Sequence, residues 1–380
     1  MNRSLAAGRR SVRYAFLLGC SLVGACGGLT DDVSLGNDGR DQNSSGPRFA
    51  EPSEVASGPV FVPKPGAGEC DELADACSGG PDGGSVDPDE PWIVTQSGLY
   101  QMALDTSHLY WLLQPGNDPE FWRVDRVSGH KERLLVTAES VYSFAIDATH
   151  LYFTHTLSVF EGSIRRMPKG GGEVEVIASG IFNPTRLTLD DTYVYYNIAS
   201  IPNAKAILSI AEDGALYRVG KNGGVPELLA SPLDGPWDFA VDATHLFLSE
   251  MNAGRIQRYP KAGGAPTTLF QTYATGHVIL SGDFAYFTEC PVASCEPGAA
   301  RLTRVPRSGG NAELLHDVID AAGSLATRSD AVVWGNWLVP LDGSTASRLV
   351  PDAQQIIAVA ADDSETFLGN YRGTIYKLDH

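Results

Sequence analysis

The chain has 380 residues, of which 43% are apolar and 9% aromatic. This is enough for one large domain with extra segments, and it excludes a fibrous or wholly disordered protein. The formal net charge is −18, so a nucleic-acid partner is excluded from our predictions, because contact with phosphates needs a basic face.

The first 25 residues have the pattern of an export signal. Four arginines precede an apolar run over residues 14–25, which is too short to span a bilayer as a helix. The run ends in Val23-Gly24-Ala25-Cys26, which resembles the bacterial lipobox, and the resemblance implies cleavage before Cys26 and its acylation, palmitate included. An ordinary secretory signal and a competing lipobox at Cys20 are the alternatives.

Residues 26–91 form a second segment, rich in Gly, Ser, Pro and Asp, with few aromatics and no periodicity. Such a composition cannot bury enough apolar surface to fold, and its excess of acidic residues keeps the chain extended. We therefore predict an acylated cysteine followed by a disordered acidic linker. The protein would then be held at a membrane of the bacterial cell envelope through its lipid alone, with the outer membrane favoured.

From residue 92 to residue 380 one pattern returns about every forty residues. Residues 235–273 show it as four short strands, over 237–241, 246–249, 255–259 and 267–270, separated by turn residues. This is the pattern of one β-propeller blade. A blade cannot bury both of its faces alone, so several blades must pack radially.

Two motifs mark the repeats. Copies of D-A-T-H-L-Y-F begin, with decay, at Asp105, Asp147, Asp190, Asp242, Ser281, Thr327 and Asp362, and R-x-P-K-x-G-G follows several third strands. They predict an all-β, seven-bladed β-propeller, or six blades if the weak copy at Thr327 is discounted. Residues 92–95 match a fourth strand that lacks its blade, and residues 373–378 match a third strand without a fourth. We predict that the N-terminal strand closes the ring, near residues 376–378.

Leu109-Tyr110-Trp111, Leu151-Tyr152-Phe153-Thr154 and Ala285-Tyr286-Phe287-Thr288, with the turns that follow them, resemble the YWTD, NHL and TolB-like propeller repeats. The resemblance covers residues 92–380. It implies the propeller fold and leaves the function open, because the group includes binding modules, sugar-lactone hydrolases and a lyase of cyclic peptide antibiotics.

The first strand of each blade lines the central channel, and its side chains alternate between the channel and the core. The position four residues before each motif lies on the channel face near the mouth. It is occupied by Gln101, Ser143, Arg186, Asp238 and His277, then by Gly323 and Ala358. Arg186, Asp238 and His277 are candidates to hold an anion, polarise a carbonyl or start a metal site, and possible catalytic residues. An Arg–Asp ion pair in a solvated channel is the alternative.

Other residues are expected at the same face. Trp237, with Tyr100 and Tyr142, could form an aromatic rim for a ligand or pack between blades. His155 follows a second strand and is a further binding candidate. Four residues with oxygen ligands follow second strands in the same way and could bind calcium or another divalent metal if they converge, namely Asn197, Glu250, Glu289 and Asn370. Solvated loop side chains are the alternative for these four.

The cysteines that remain after removal of the signal and acylation of Cys26 are Cys70, Cys77, Cys290 and Cys295. They form two close pairs, which in an exported protein favour two local disulfides. A zinc site of four thiolates is the alternative.

The chain contains no G-x-S-x-G, H-E-x-x-H, P-loop or dinucleotide-binding motif. The sequence therefore favours a non-catalytic, envelope-anchored propeller that binds a protein or a glycan through its loop-bearing face. The alternative is a metal-dependent, lactonase-like hydrolase or a lyase, with its site at the channel mouth. A divalent metal is the only cofactor considered.

Overall fold

A computed structural model describes residues 91–116, 118–158, 161–199, 214–292, 300–317, 323–351, 353 and 355–380. Across these residues it contains 28 β-strands in seven four-stranded antiparallel sheets. The predicted all-β, seven-bladed propeller is confirmed. No helix among the described residues has the length and the apolar character needed to cross a membrane.

The strands follow one another along the chain. In chain order they are β1 (Ile93–Val94), β2 (Leu99–Leu104), β3 (His108–Leu113), β4 (Glu120–Asp125), β5 (Lys131–Val136), β6 (Phe144–Ile146), β7 (His150–Ser158), β8 (Glu161–Pro168), β9 (Glu175–Ile181), β10 (Pro184–Leu189), β11 (Tyr193–Ile198), β12 (Gly214–Gly220), β13 (Glu227–Leu233), β14 (Pro236–Val241), β15 (His245–Glu250), β16 (Arg255–Pro260), β17 (Thr267–Gln271), β18 (Ala274–Ser281), β19 (Phe284–Cys290), β20 (Arg301–Pro306), β21 (Glu313–Asp317), β22 (Leu325–Thr327), β23 (Ala331–Trp334), β24 (Trp337–Pro340), β25 (Ser347–Arg348), β26 (Ile356–Ala361), β27 (Glu365–Asn370) and β28 (Thr374–Asp379). Blades 1 to 6 take four consecutive strands each, from β2 to β25.

Blade 7 is closed by the N-terminal strand, as the sequence predicts. Its sheet has the order β1-β28-β27-β26, and β1 pairs with β28 through Ile93 opposite Ile375 and Val94 opposite Thr374. The amide of Thr95 donates to the carbonyl of Gly373 at 2.8 Å. The closing contact therefore lies at residues 373–375, because β1 pairs with the start of β28 and not with residues 376–378.

The core lies between neighbouring blades. In every blade except the sixth, the position three residues before the motif is buried, as the alternation predicts, and examples are Met102, Phe144 and Phe239. Between blades 1 and 2, Phe121 packs edge-on against Phe144 with ring centroids 5.6 Å apart. Each blade thus buries its faces only against its neighbours, which is why the repeats cannot fold singly.

The aspartate of the first motif holds its own turn and forms an ion pair with the next blade. Oδ1 of Asp105 accepts the backbone N–H groups of Ser107 and His108, both at 2.8 Å. Oδ2 of Asp105 faces Nζ of Lys169, the lysine of the second motif in blade 2, at 2.5 Å. The same pairing across blades joins Lys221 to Asp147, Lys261 to Asp190, Arg307 to Asp242 and Arg126 to Asp362.

The arginine of the second motif completes this connection. Nη1 of Arg123 donates to the carbonyl of Lys169 at 3.0 Å, so blade 1 also holds the turn of blade 2. Equivalent bonds run from Arg166 to Lys221, from Arg218 to Lys261, from Arg258 to Arg307 and from Arg304 to Leu341. At the ring closure, Nζ of Lys377 donates to the carbonyl of Arg126 at 3.0 Å. Both motifs are therefore fold determinants.

The sixth repeat begins one residue later than its sequence indicates. The amide of Arg328 donates to the carbonyl of Ala331 at 2.9 Å, which is the bond that Asp105 makes to His108 in blade 1. Arg328, and not Thr327, therefore holds the motif's first position. The position near the channel mouth belongs to Ser324 instead of Gly323. An arginine in place of the motif aspartate concealed this register.

The ion pairs between blades make the ring sensitive to acid. Partial burial opposes the ionisation of Asp105, Asp147, Asp190 and Asp362, but hydrogen bonds from the paired cation and the turn amides outweigh it and hold each pKa well below 3.8. A carboxyl with a depressed folded-state pKa stabilises the fold above its unfolded pKa, and this contribution is lost as pH falls through the folded pKa.

We therefore expect the urea midpoint to be flat from about pH 7 to pH 5 and to fall steeply below about pH 4. In Asp147→Asn this acid-dependent loss should be smaller. Asp191→Asn, at an exposed neighbouring turn, is the control and should retain the wild-type slope. Equal slopes in both variants would contradict this account.

Candidate ligand site at the channel mouth

The first strands are irregular where they enter the channel. Pairing between the first and second strands shifts register between Leu99 and Gln101 in blade 1 and between Pro236 and Asp238 in blade 4. A bulge of this kind redirects the side chains beside it. The residues four and five positions before each motif, at these bulges, define what we call the channel mouth.

Polar side chains of the mouth connect four of the blades to the next blade. Oε1 of Gln101 accepts the amide of Phe144 at 3.0 Å, and Oγ of Ser143 accepts the amide of Leu187 at 3.3 Å. Asp238 accepts from Val278 at 3.3 Å and Ser324 from Val359 at 3.0 Å in the same way. Gln101 and Ser143 thus have a role within the ring, and their contact with a ligand stays a prediction.

Arg186 differs from these residues because a guanidinium cannot accept a hydrogen bond. By analogy with the other blades, the residue at this position would accept the amide of Phe239 in the next blade. That amide bonds instead to Oδ1 of Asp238 at 3.0 Å. The half-buried guanidinium of Arg186 lies over the Trp237 ring, 5.7 Å from its centroid. Within the described ranges, this guanidinium makes no hydrogen bond or ion pair.

Asp238 and His277 form a pair across blades 4 and 5. Nδ1 of His277 lies 3.0 Å from Oδ2 of Asp238, and the two side chains are 21% and 22% exposed. Burial opposes ionisation of Asp238, but the bond from His277 and the charges of His277 and Arg186 hold its pKa below the ordinary value. The structure therefore brings the three candidate residues Arg186, Asp238 and His277 together.

Trp237 lies between the other members of this group. Its ring meets that of His277 edge-on, with centroids 6.4 Å apart and an interplanar angle of 67°. Its indole Nε1 is buried and has no acceptor among the described residues. A buried donor without an acceptor costs about 1–3 kcal/mol. We call Arg186, Trp237, Asp238 and His277 the mouth cluster.

The two glutamates proposed as metal ligands have protein partners. Glu250 is fully buried. Its carboxylate accepts hydrogen bonds from Nε and Nη2 of Arg255, both at 2.9 Å, and from the amide of Asp234 at 2.9 Å. Glu289 accepts the hydroxyl of Thr272 at 2.7 Å. These bonds occupy part of the acceptor capacity that a cation would need.

The two asparagines are engaged as well. Oδ1 of Asn197 accepts the amide of Arg186 at 2.8 Å, and Nδ2 donates to the carbonyl of Pro236 at 2.8 Å. Oδ1 of Asn370 accepts the amide of Thr374 at 3.0 Å. Over the part of the chain that is described, no three His, Cys, Asp or Glu side chains are grouped to hold a metal. Metal binding by these residues stays a prediction.

His155 belongs to a buried hydrogen-bonded chain in blade 2. Its Nε2 bonds to Glu139, its Nδ1 lies 3.4 Å from Oγ of Ser163, and Nε of Arg165 donates to that Oγ at 3.0 Å. Burial and the charge of Arg165 lower the pKa of His155 in spite of Glu139. His155 is 3% exposed, so a ligand could reach it only after local opening.

Sequence reasoning missed that side chains of the second strands brace the mouth, although it named Asn197 as a candidate ligand. The hydroxyl of Thr154 accepts the amide of Ser143 at 3.1 Å, and that of Thr288 accepts the amide of His277 at 2.9 Å. Asn197 does the same for Arg186. All three lie seven positions after the first residue of their motif, and this recurrence of short polar side chains was a signal available in the sequence.

The cysteine predictions fall mostly outside the described residues. Cys290 is 3% exposed and disulfide-bonded. Cys26, Cys70, Cys77 and Cys295 are not among the described residues. Acylation at Cys26 and the pairing within each close pair therefore stay predictions.

No model of a known family matches the chain, and neither does any curated protein. Among solved structures, a catalytically inactive histidine-to-alanine virginiamycin B lyase from Staphylococcus aureus with quinupristin is similar at a TM-score of 0.55 and 13% identity, over 76% of this chain and 98% of that one. The computationally designed Ika8 protein gives 0.53 and 11%, over 76% and 98%. A nidogen/laminin complex gives 0.45 and 16%, over 56% and 77%. The first two similarities support the propeller fold alone.

Proposed function

We propose that this protein is a binding module of the bacterial cell envelope. An acylated Cys26 and the linker up to residue 91 hold the propeller at the outer membrane, and the propeller binds a protein or a glycan at the channel mouth. The observation that carries the binding role is the mouth cluster. In it the guanidinium of a half-buried arginine lies against a tryptophan ring, and neither the guanidinium nor the buried indole N–H has an acceptor among the described residues.

Binding is the role that this arrangement supports best. Tryptophan and arginine are the side chains that most often dominate binding energy, because they combine a large surface with directed donors. The rest of the mouth is already braced by bonds such as that from Phe144 to Gln101. A braced site of this kind does not have to reorganise when a ligand arrives, which lowers the cost of binding.

Catalysis is the second candidate, and the Asp238–His277 pair favours it. A carboxylate at Nδ1 orients an imidazole and leaves Nε2 for a proton of the substrate, as in general acid–base catalysis. The lyase with the same fold is described as inactive when one histidine is replaced by alanine. A lyase or a lactonase-like hydrolase would place His277 as its base.

Photo-crosslinking in bacterial cells that express the full chain tests the binding role. A photoreactive residue at position 142, in the mouth, should give discrete adducts with a protein or a glycan. The same residue at position 127, whose valine is 89% exposed in the turn between β4 and β5, should give none. Trp237→Ala should remove the adducts while the melting temperature confirms a folded chain. Equal adducts from both positions would refute a site at the mouth.

Two further experiments complete the test. Cys26→Ala should move the protein from the membrane fraction to the soluble fraction, and an unchanged distribution would refute the lipid anchor. The second candidate, catalysis, is tested by incubating purified protein with a ligand of the class found by crosslinking. If the wild-type protein consumes the ligand over time and His277→Gln does not, the result would favour an enzyme.

A further inference from the structure

We propose that the mouth cluster is a subsite for a carboxylate group of the ligand, held by the guanidinium of Arg186 beside Trp237 and His277. This inference rests on the proposed function and specifies the chemistry that the channel mouth recognises. It is carried by three features of the cluster, namely the unbonded guanidinium, the local charge and the indole.

The guanidinium is the group that would bind the carboxylate. Elsewhere in the described propeller, half-buried arginines have polar acceptors, as Arg255 has Glu250 and Arg165 has Ser163. Arg186 is held at its backbone by Asn197 and at its side chain by the Trp237 ring, yet its guanidinium N–H groups have no acceptor among the described residues. Two parallel N–H groups of a guanidinium match the two oxygens of a carboxylate.

The charge of the cluster favours one negative charge over two. Asp238 remains ionised next to His277, because its pKa is held below the ordinary value. This carboxylate repels any anion at the site, but it repels a dianionic phosphate about twice as strongly as a singly charged carboxylate, whose charge the one cation of Arg186 can offset. The chain as a whole carries −18, which further disfavours a dianion.

The indole determines what should carry the carboxylate. Trp237 lies between Arg186 and His277 and offers a flat apolar surface next to the cation. An aromatic or sugar ring attached to the carboxylate could pack there. The two sources with this chemistry are the C-terminus of a peptide and an acidic sugar.

Ligand-observed NMR on the full chain distinguishes these sources with matched probes. One pair is N-acetylphenylalanine and its amide, and the other is glucuronate and glucose. We expect the acidic member of one pair to bind and the neutral member not to bind, and the pair that responds identifies the source. Binding of neither acid, or equal binding of an acid and its neutral partner, would overturn the inference.

Variants then assign the effect to Arg186. Arg186→Gln should abolish binding, and Arg186→Lys, which keeps the charge without the planar fork, should weaken it at least about tenfold. Arg372→Gln removes the same charge from an exposed site in the turn between β27 and β28 and should leave binding unchanged. Unchanged binding in Arg186→Gln would overturn the inference. If adducts from position 142 persist while both acids fail to bind, the carboxylate subsite is wrong and the binding function stands.

Discussion

Replacement of Gly373 by alanine is expected to lower the free energy of unfolding by about 3 kcal/mol. Gly373 has a φ of +89°, and a Cβ atom there would lie 2.2 Å from the carbonyl oxygen of Gln96 and 2.6 Å from that of Thr95. These are backbone atoms of the segment that closes the ring, so no side-chain rotation can relieve the clash. The segment must move, and the bond from Thr95 to Gly373 is then lost.

The control is Gly343→Ala. Gly343 has a similar φ of +82°, but a Cβ atom there would meet no heavy atom within 4 Å. It should therefore cost only the strain of a positive φ, about 1–2 kcal/mol. Urea unfolding gives both values, and hydrogen exchange at Trp92 and Thr95 should accelerate in Gly373→Ala alone. Equal losses in the two variants would show that the closing contact does not tie the ring.

Arg255→Met is the second substitution with a large expected effect, and it addresses the proposed metal ligand Glu250. The side chain of Glu250 is 0% exposed to solvent. Within the described residues, Arg255 is its one ion-pair partner. Removal of one partner from a buried pair leaves an uncompensated charge, which costs about 3–5 kcal/mol. We expect a loss of about that size in urea unfolding.

The double variant Glu250→Gln/Arg255→Met is the matched control. Glutamine keeps an acceptor for the amide of Asp234 and removes the buried charge, so the double variant should recover much of the loss. The same single variant tests metal binding. If added calcium restores the stability of Arg255→Met, Glu250 is a metal ligand, and if the double variant is no more stable than the single one, our description of the pair is wrong.

The repeats made most of the fold predictable. Outside the sixth blade, the apolar positions three residues before the motif, such as Phe144 and Phe239, are buried because alternation in a strand is a local property. The closing strand was also predictable, because residues 92–95 match the fourth strand of a blade. Two details were wrong. The closing contact lies at residues 373–375 and not at 376–378. The sixth repeat begins one residue later than predicted, since an arginine at 328 replaces the motif aspartate on which the alignment depends.

The candidate site was predictable only in part. Placement of Arg186, Asp238 and His277 on one face follows from the repeat, and the structure brings them together. The partners of the other candidates did not follow from it. Gln101 bonds to Phe144 in the next blade, and Glu250 is neutralised by Arg255 across a hairpin.

The sequence by itself determined the repeat, the strand order and the closure of the ring, because these depend on the alternation of side chains and on turn residues within each unit. Only the tertiary structure decided which polar groups are already bonded and which remain available. At the channel mouth that distinction depends on atoms some forty residues apart meeting across two blades, as the amide of Val278 meets Asp238 at 3.3 Å. Periodicity places a side chain on a face, but it does not say whether a neighbouring blade supplies its partner.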